Sequence, residues 1–456
     1  MSGTDELISY AQSLRFEDLP SQAVEAVKTH VLDTLGAILA GSIAEGPKNL
    51  VHLIKEWGGR AEGTILVYGD KVPLPNAAWV NATMSRGFDY ETLVGGGATH
   101  VSASIIPAAL AISEYSQTFK NKAINGKDLI VALALGIDLN WRFRVAGGST
   151  VQGGGWLAET FAPPAIGALG GKLLGFDREK INNAMGIGYN QCCGNYGAVV
   201  GPGGGYMAQL SQGLGAKAGV LSVLLADRGF TAFKDLIDGR WGLFRMFAGG
   251  RYDSEILLGG LGKRFESLTP IIKRYPGCGG TQAPVYGALE LAREHSIRVE
   301  DVSKVRIGES EMGYWLLGEN KGKPSNTADA LWNDRYSVAV ALVKGKVFVN
   351  DFSKEAIRDP RILELLERVE VQIDKSLVHE VEVEIKTKEG KSFQRKVSNV
   401  PPMSRDEILE KFRNSNHFSA KPLPERRVES FIQMVNELEE LDNVTKMINM
   451  LSDLSP

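Results

Sequence analysis

The chain has 456 residues, 43% hydrophobic and 23% charged, with a formal net charge of -3. That length is enough to bury a large core in two or three domains or in one composite unit. The near-neutral balance, free of long single-sign runs, argues against nucleic acid and acidic membrane surfaces as partners, and no segment holds the ~20 uncharged apolar residues of a membrane span. The N-terminus, MSGTDELISYAQSLRF, has no basic start followed by an apolar stretch, so a cytoplasmic protein is expected.

In chain order, apolar residues recur at Val24, Val27, Val31, Leu35, Ile38 and Leu39, which predicts a helix with one buried face over Pro20–Gly41. Similar patterns predict helices over Ala77–Ser85, Ser104–Tyr115, Lys127–Val145, Arg178–Tyr189 and Gln212–Arg228. From about Ser303 the period changes. VSKVRIG, VEVQID and HEVEVEIKTKEGKSFQRKV alternate apolar and polar residues and predict a small sheet with a turn at Lys388-Glu389-Gly390. Asp329–Val343 and Pro360–Val369 read as helices between those strands. Beyond Pro401-Pro402, Ser404 with Glu407 three residues on is a capping signal that opens a last helical stretch. The expected fold is therefore mostly α with a smaller α+β domain. Residues 1–267 and 403–456 make one discontinuous helical domain, and 268–402 make the α+β domain.

The chemistry-bearing residues exclude several classes of site. Three cysteines without a CxxC pair, and six histidines without HxH or HxxxH spacing, predict neither a disulfide framework nor a metal site. Glycines cluster at Gly95-Gly96-Gly97, Gly153-Gly154-Gly155 and Gly201-Pro202-Gly203-Gly204-Gly205. None has the spacing or context of a nucleotide-phosphate cradle, so they are either turns between close-packed helices or loops lining a ligand. No cofactor is expected.

Two segments concentrate reactive groups. RGFDYETLVGGGATHVSASIIPAALA (Arg86–Ala111) sets Asp89, Tyr90, Glu91 and His100 around a glycine loop ahead of an apolar helix, an arrangement suited to moving protons beside a carboxylate. IIKRYPGCGGTQAP (Ile271–Pro284) holds Lys273 on a constrained backbone where the two domains join.

Seven stretches taken together, VLDTLGAILAG, GDKVPLPNAAWVNATMSRGFDYE, ATHVSASIIPAALA, GKLLGFDREKINNAMGI, GAKAGVLSVLLADRGFTA, IIKRYPGC and ADALWNDRYSVAVAL, resemble the MmgE/PrpD family in the family's order and over almost the whole chain. The resemblance implies a two-domain architecture and a homodimer acting on a small polycarboxylate without a cofactor, with 2-methylcitrate dehydratase, cis-aconitate decarboxylase and iminodisuccinate epimerase among its activities. It implies that His100 matches the histidine of a His-Pro-Ser motif, with Val101 in place of proline, and that Lys273 matches a lysine before Tyr-Pro. Departures also stand out. Gly87-Phe88-Asp89-Tyr90-Glu91 lacks the leading aspartate of Asp-Phe-Asp-Asp-Thr, a family lysine and histidine fall at Ala208 and Ser211, and another histidine falls at Gln282.

Those departures weaken the case for a tricarboxylate and favour a dicarboxylate or a less charged acid. The expected enzyme is a dehydratase-like hydro-lyase that abstracts a proton next to a carboxylate. An epimerase is the alternative, and a non-catalytic metabolite-binding or scaffold protein a second one. His100 is assigned proton transfer and Lys273 electrostatic stabilisation, with Tyr90, Asp89 or Glu91 as the second acid or base. Arg142 or Arg144 is expected to hold a carboxylate, and Tyr275 and Gln282 to contact substrate.

Overall fold

A computed structural model describes residues 2–95, 99–197, 205–319 and 322–452. The helices that build the first core are α1 (Gly3–Ser13), α2 (Ser21–Gly41), α3 (Glu45–Trp57), α4 (Leu74–Ser85), α5 (Val101–Phe119), α6 (Gly126–Ala146), α7 (Ala162–Leu174), α8 (Arg178–Tyr189) and α9 (Met207–Asp227). Helix α2 buries Val24, Val27, Val31, Leu35, Ile38 and Leu39, the residues whose spacing predicts it. Among the described residues, no helix is long and apolar enough to cross a membrane.

The second core is built by α10 (Gln282–Glu294), α11 (Asp334–Lys344), α12 (Pro360–Leu366) and a four-stranded sheet of β1 (Val302–Glu309), β2 (Val369–Ile373), β3 (Val381–Thr387) and β4 (Ser392–Val397). Strand order is β2-β1-β3-β4, with β1 parallel to β2 and the other pairs antiparallel. The β3–β4 hairpin turns at Gly390, whose φ of 83° suits glycine. Helices α13 (Arg405–His417), α14 (Glu425–Asn436) and α15 (Thr445–Leu451) return to the first core, where Phe412, Phe431, Val435 and Met447 are buried. The start of α13 is the capping box that Ser404 and Glu407 encode: Glu407 N–H donates to Ser404 Oγ at 3.2 Å, and Ser404 N–H to Glu407 Oε2 at 2.7 Å.

The helices predicted to start at Ala77, Ser104 and Gln212 begin earlier, at Leu74, Val101 and Met207, and two predicted helices are cut short. Asp329–Val343 is broken, because Asn333 Oδ1 accepts from Tyr336 N–H at 3.1 Å and caps α11, while the Leu331 carbonyl accepts from Cys278 N–H at 3.0 Å instead of continuing a helix. Pro360–Val369 ends at Leu366, since Val369 pairs with Val305 in the sheet.

Phe88 and Tyr90, which follow α4, pack into the second core together with Ala40 at the end of α2 and Ala44 at the start of α3. The loop after α4 therefore crosses from one core to the other. It is also stapled to the segment before Lys273 by a short antiparallel ladder, Leu93–Val94 against Pro270–Ile271.

Candidate active site

The end of α2 and the loop leaving α4 approach so closely that a Cβ on Gly87 would lie 2.6 Å from Gly41 Cα. Gln209 Nε2 donates to the Gly87 carbonyl at 2.7 Å and fixes the chain as it leaves this contact. Asp89 then adopts φ of 49°, a left-handed conformation that costs energy for a residue with a side chain. Lys273 holds it there: Nζ donates to the Asp89 carbonyl at 2.6 Å and to the Asp89 carboxylate. Only 1% of Lys273 is exposed, so this cation and its partner form a buried pair.

Arg86 connects the remaining acids. Its Nη1 lies 3.2 Å from both Glu91 Oε1 and Glu159 Oε1, and its Nε 3.4 Å from Asp89 Oδ1. Burial alone would lower the Arg86 pKa, but the three carboxylates raise it, so the guanidinium stays charged. Burial raises the Glu159 pKa against the pull of Arg86. Gln212 Nε2 donates to Glu159 Oε1 at 2.5 Å, and Ser104 Oγ donates to Gln212 Oε1 at 2.6 Å.

His100 stands at the N-cap of α5 with Nδ1 2.6 Å from Glu91 Oε1. An ionised carboxylate only accepts, so Nδ1 carries the proton and Nε2 keeps its lone pair. Burial, with the charges of Arg86 and Lys273, pushes the imidazole well below its usual range and keeps it neutral. The outcome is a neutral base in a fixed tautomer, flanked by two cations.

One atom from each of Asp89, Glu91 and His100 lies within 4.8 Å of the others, a spacing that could hold an ion. Lys273 and Arg86 already pair with Asp89 Oδ1 and Glu91 Oε1, however, and would repel a divalent cation. The donor set thus fits a metal poorly, although the three residues do come together.

A third cation supports the loop from behind. Lys411 of α13 lies 2.7 Å from Asp33 Oδ1 and donates to the carbonyls of Tyr90 at 2.7 Å and Lys273 at 3.0 Å. Its Nζ also sits 3.8 Å from the centre of the Tyr90 ring. Asp33 accepts from Thr92 Oγ1 at 2.6 Å.

Several residues expected at the site are directed elsewhere. The Tyr90 hydroxyl donates to the Arg274 carbonyl at 3.3 Å, and burial raises its pKa, so it does not face His100 as a second acid. Gln282 spends its whole amide on backbone: Oε1 accepts from Arg274 and Tyr275 N–H at 2.9 and 3.0 Å, and Nε2 donates to the Tyr275 carbonyl at 2.8 Å. It braces the Lys273 turn through both ends of its amide. Tyr275 packs against the second core, and burial pushes its phenol up to about 12.

Arg142 and Arg144 are two residues apart on α6 and so point to opposite faces. Arg142 bonds Asp138 at 2.9 Å and the carbonyls of Ile256 and Gly259, both at 2.9 Å, which commits its Nε and Nη1 to the protein itself. Arg144 instead neighbours Tyr196 and Glu159. Glu159, Tyr196, Lys411 and Asp33 were not legible as site residues. Of the glycine clusters, Gly96, Gly97, Gly201, Pro202, Gly203 and Gly204 lie outside the described residues.

Residues 5–255 match the MmgE/PrpD N-terminal domain, and residues 275–440 match the MmgE/PrpD C-terminal domain. The chain belongs to the MmgE/PrpD family. It is 26% identical to cis-aconitate decarboxylase of Aspergillus terreus (strain NIH 2624 / FGSC A1156) over 98% of this chain and 96% of that protein. It is 23% identical to the Homo sapiens cis-aconitate decarboxylase, over 99% of this chain and 95% of that protein. The Mus musculus enzyme of that name is also 23% identical, over 99% and 93%.

The positions where this MmgE/PrpD chain departs from the family's pattern now have surroundings. Gly87, in place of the leading aspartate, has no room for a side chain against Gly41. Ala208, in place of a lysine, is buried against Leu157, with Tyr196 and Trp332 packed on the pair. Ser211 donates to the Met207 carbonyl at 2.8 Å, within its own helix. In this MmgE/PrpD protein position 208 is therefore part of an apolar wall.

Proposed function

We propose that the protein is a lyase that moves a proton at the carbon next to a carboxylate of a small acid, with His100 Nε2 as the base. The reading rests on one observation above all. His100 Nδ1 is held 2.6 Å from Glu91 while Arg86 and Lys273 suppress the imidazolium. Removing a proton beside a carboxylate builds negative charge on carbon and oxygen, and fixed buried cations stabilise that charge without reorganising.

In a hydro-lyase reaction the C–H electron pair forms the new double bond as hydroxide leaves with a proton from a second group. In a decarboxylation, the activity named for the relatives, the C–C bond breaks, carbon dioxide departs, and the electron pair left on carbon takes a proton from a second group or from water, because neutral His100 holds none on Nε2. Tyr196 supports epimerisation as a second reading, because its phenol neighbours Arg144, Glu159 and Arg86 and can supply a proton to the opposite face. A homodimer is part of this proposal, to be tested by sedimentation.

Proton NMR in deuterium oxide, with a panel of small mono-, di- and tricarboxylic acids, tests the assignment. Deuterium should enter beside a carboxylate, with elimination, decarboxylation or inversion, and His100→Ala should abolish it. Exchange that survives His100→Ala, or no exchange with any acid, would overturn it.

A further inference from the structure

Building on that proton-transfer reading, we propose that Arg144 is the carboxylate anchor and that the substrate is a small monocarboxylic acid with an uncharged, apolar far end. Arg144 is only 3% exposed, and its Nε and Nη2 are both buried without a hydrogen-bond partner. These two nitrogens form one edge of the guanidinium, the parallel fork that grips a carboxylate through two hydrogen bonds. A buried pair of free donors is costly unless a ligand satisfies it. Tyr196 lies against the same guanidinium, and Glu159 nearby links it through Arg86 and Glu91 to His100.

The charges around it limit how many carboxylates a ligand can bring. Arg86 faces Asp89, Glu91 and Glu159, Lys273 faces Asp89, and Lys411 faces Asp33. Among the described residues of this cluster, Arg144 alone among the cations has no ion pair within 4 Å, and it supplies one fork. Tyr196 also packs on an apolar wall of Leu157, Ala208 and Trp332, which offers no countercharge to a second or third carboxylate. An acid head on Arg144 and an apolar tail on that wall satisfy both surfaces.

Ligand-detected NMR titration with butanoate, succinate, propane-1,2,3-tricarboxylate and butanamide separates the possibilities without requiring turnover. Butanoate should bind more tightly than the di- and tricarboxylate, and butanamide should not bind. Arg144→Met should weaken butanoate by about tenfold or more. Arg144→Lys, which keeps the charge but loses the fork, should fall between, and it carries the test if Arg144→Met does not fold.

Tightest binding of the tricarboxylate, butanoate affinity unchanged in the substituted proteins, or no acid binding at all would each overturn the proposal. If butanoate binds through Arg144 yet no acid exchanges deuterium, the proton-transfer reading fails while the anchor stands. If exchange occurs and depends on His100 but not on Arg144, the anchor fails alone.

Discussion

Glu91 and His100 are joined by a 2.6 Å contact between Oε1 and Nδ1, and Arg86 touches the same carboxylate oxygen at 3.2 Å. One oxygen therefore orients the imidazole while it also pairs with the guanidinium that disfavours the imidazole's protonation. The arrangement fixes tautomer and charge state together, as a general base requires.

The sign of the pH dependence follows. The His100 pKa is lowered on folding, so its contribution to stability is full above the usual 6.5 and is lost as pH falls below that value toward the folded pKa. The base form persists over the same window. The acid limb of the exchange rate should lie below pH 6.5, and Lys273→Met, which removes a repelling charge, should move it upward. His100→Ala should lower the rate about 100- to 10,000-fold, and Glu91→Gln should lower it less while leaving ligand affinity nearly unchanged. A wild-type limb above pH 6.5 would contradict the assignment.

Lys411 and Asp33 are both buried and lie 2.7 Å apart, with Lys411 also holding the carbonyls of Tyr90 and Lys273. Lys411→Met would leave Asp33 charged and unpaired, which typically costs about 3–5 kcal/mol. Urea unfolding should show that loss, and the Lys411→Met Asp33→Asn double variant should recover part of it. Exchange activity should fall in the single variant as well, because both carbonyls belong to the loop that positions Asp89.

Much of the fold is legible because its signals are local. Arg178–Tyr189 is a helix with the predicted bounds, and the Ser404–Glu407 box caps α13 as read. Helix α7 went unread because it carries Pro163 and Pro164 in its first turn followed by three glycines. The same distinction divides the site. Asp89, Glu91 and His100 lie within one short segment, and Lys273 follows a recognisable Tyr-Pro context. Glu159, Tyr196 and Lys411 reach them only through tertiary packing; the Lys411–Tyr90 contact spans 321 positions. Arg142 and Arg144 could not be ranked, since two arginines two residues apart on a helix differ only in which face is core.

Asp334 and Glu309 form a second buried acid pair, in the β1–α11 part of the second core. Burial, with the Glu309 charge, raises the Asp334 pKa well above normal, and burial pushes Glu309 up to about 7. A carboxyl with a raised folded pKa contributes stability that is complete below its unfolded value, near 4.5 for Glu309, and is lost as pH rises through about 7. The melting temperature should therefore decline between those values. Asp334→Asn should flatten the decline and raise stability at pH 8; a slope that stays unchanged would count against a shared proton.

Gly87→Asp would restore the aspartate of the family motif in name only. Its Cβ would sit 2.6 Å from Gly41 Cα and 2.9 Å from the Gly41 carbonyl oxygen, both backbone atoms that cannot swing aside. The expected outcome is a loss of about 1–3 kcal/mol from overpacking, read by denaturant unfolding, with no new activity toward a tricarboxylate.

Ala208→Lys has a different prospect, because its neighbours include the side chains of Leu157, Tyr196 and Trp332. The new ammonium would replace part of the apolar wall made with Leu157 and Trp332 and would share Tyr196 as a neighbour with Arg144. Without ligand, two buried cations near one phenol repel, and stability should fall by about 1–3 kcal/mol. Propane-1,2,3-tricarboxylate would supply the missing negative charge, so its affinity should rise while that of butanoate falls, and the order of the two ligands should reverse. That reversal would assign the choice between acids to the countercharge at position 208. Unchanged ligand order in a folded Ala208→Lys protein would mean that the wall lies outside the ligand's reach and that Arg144 alone reads the acid.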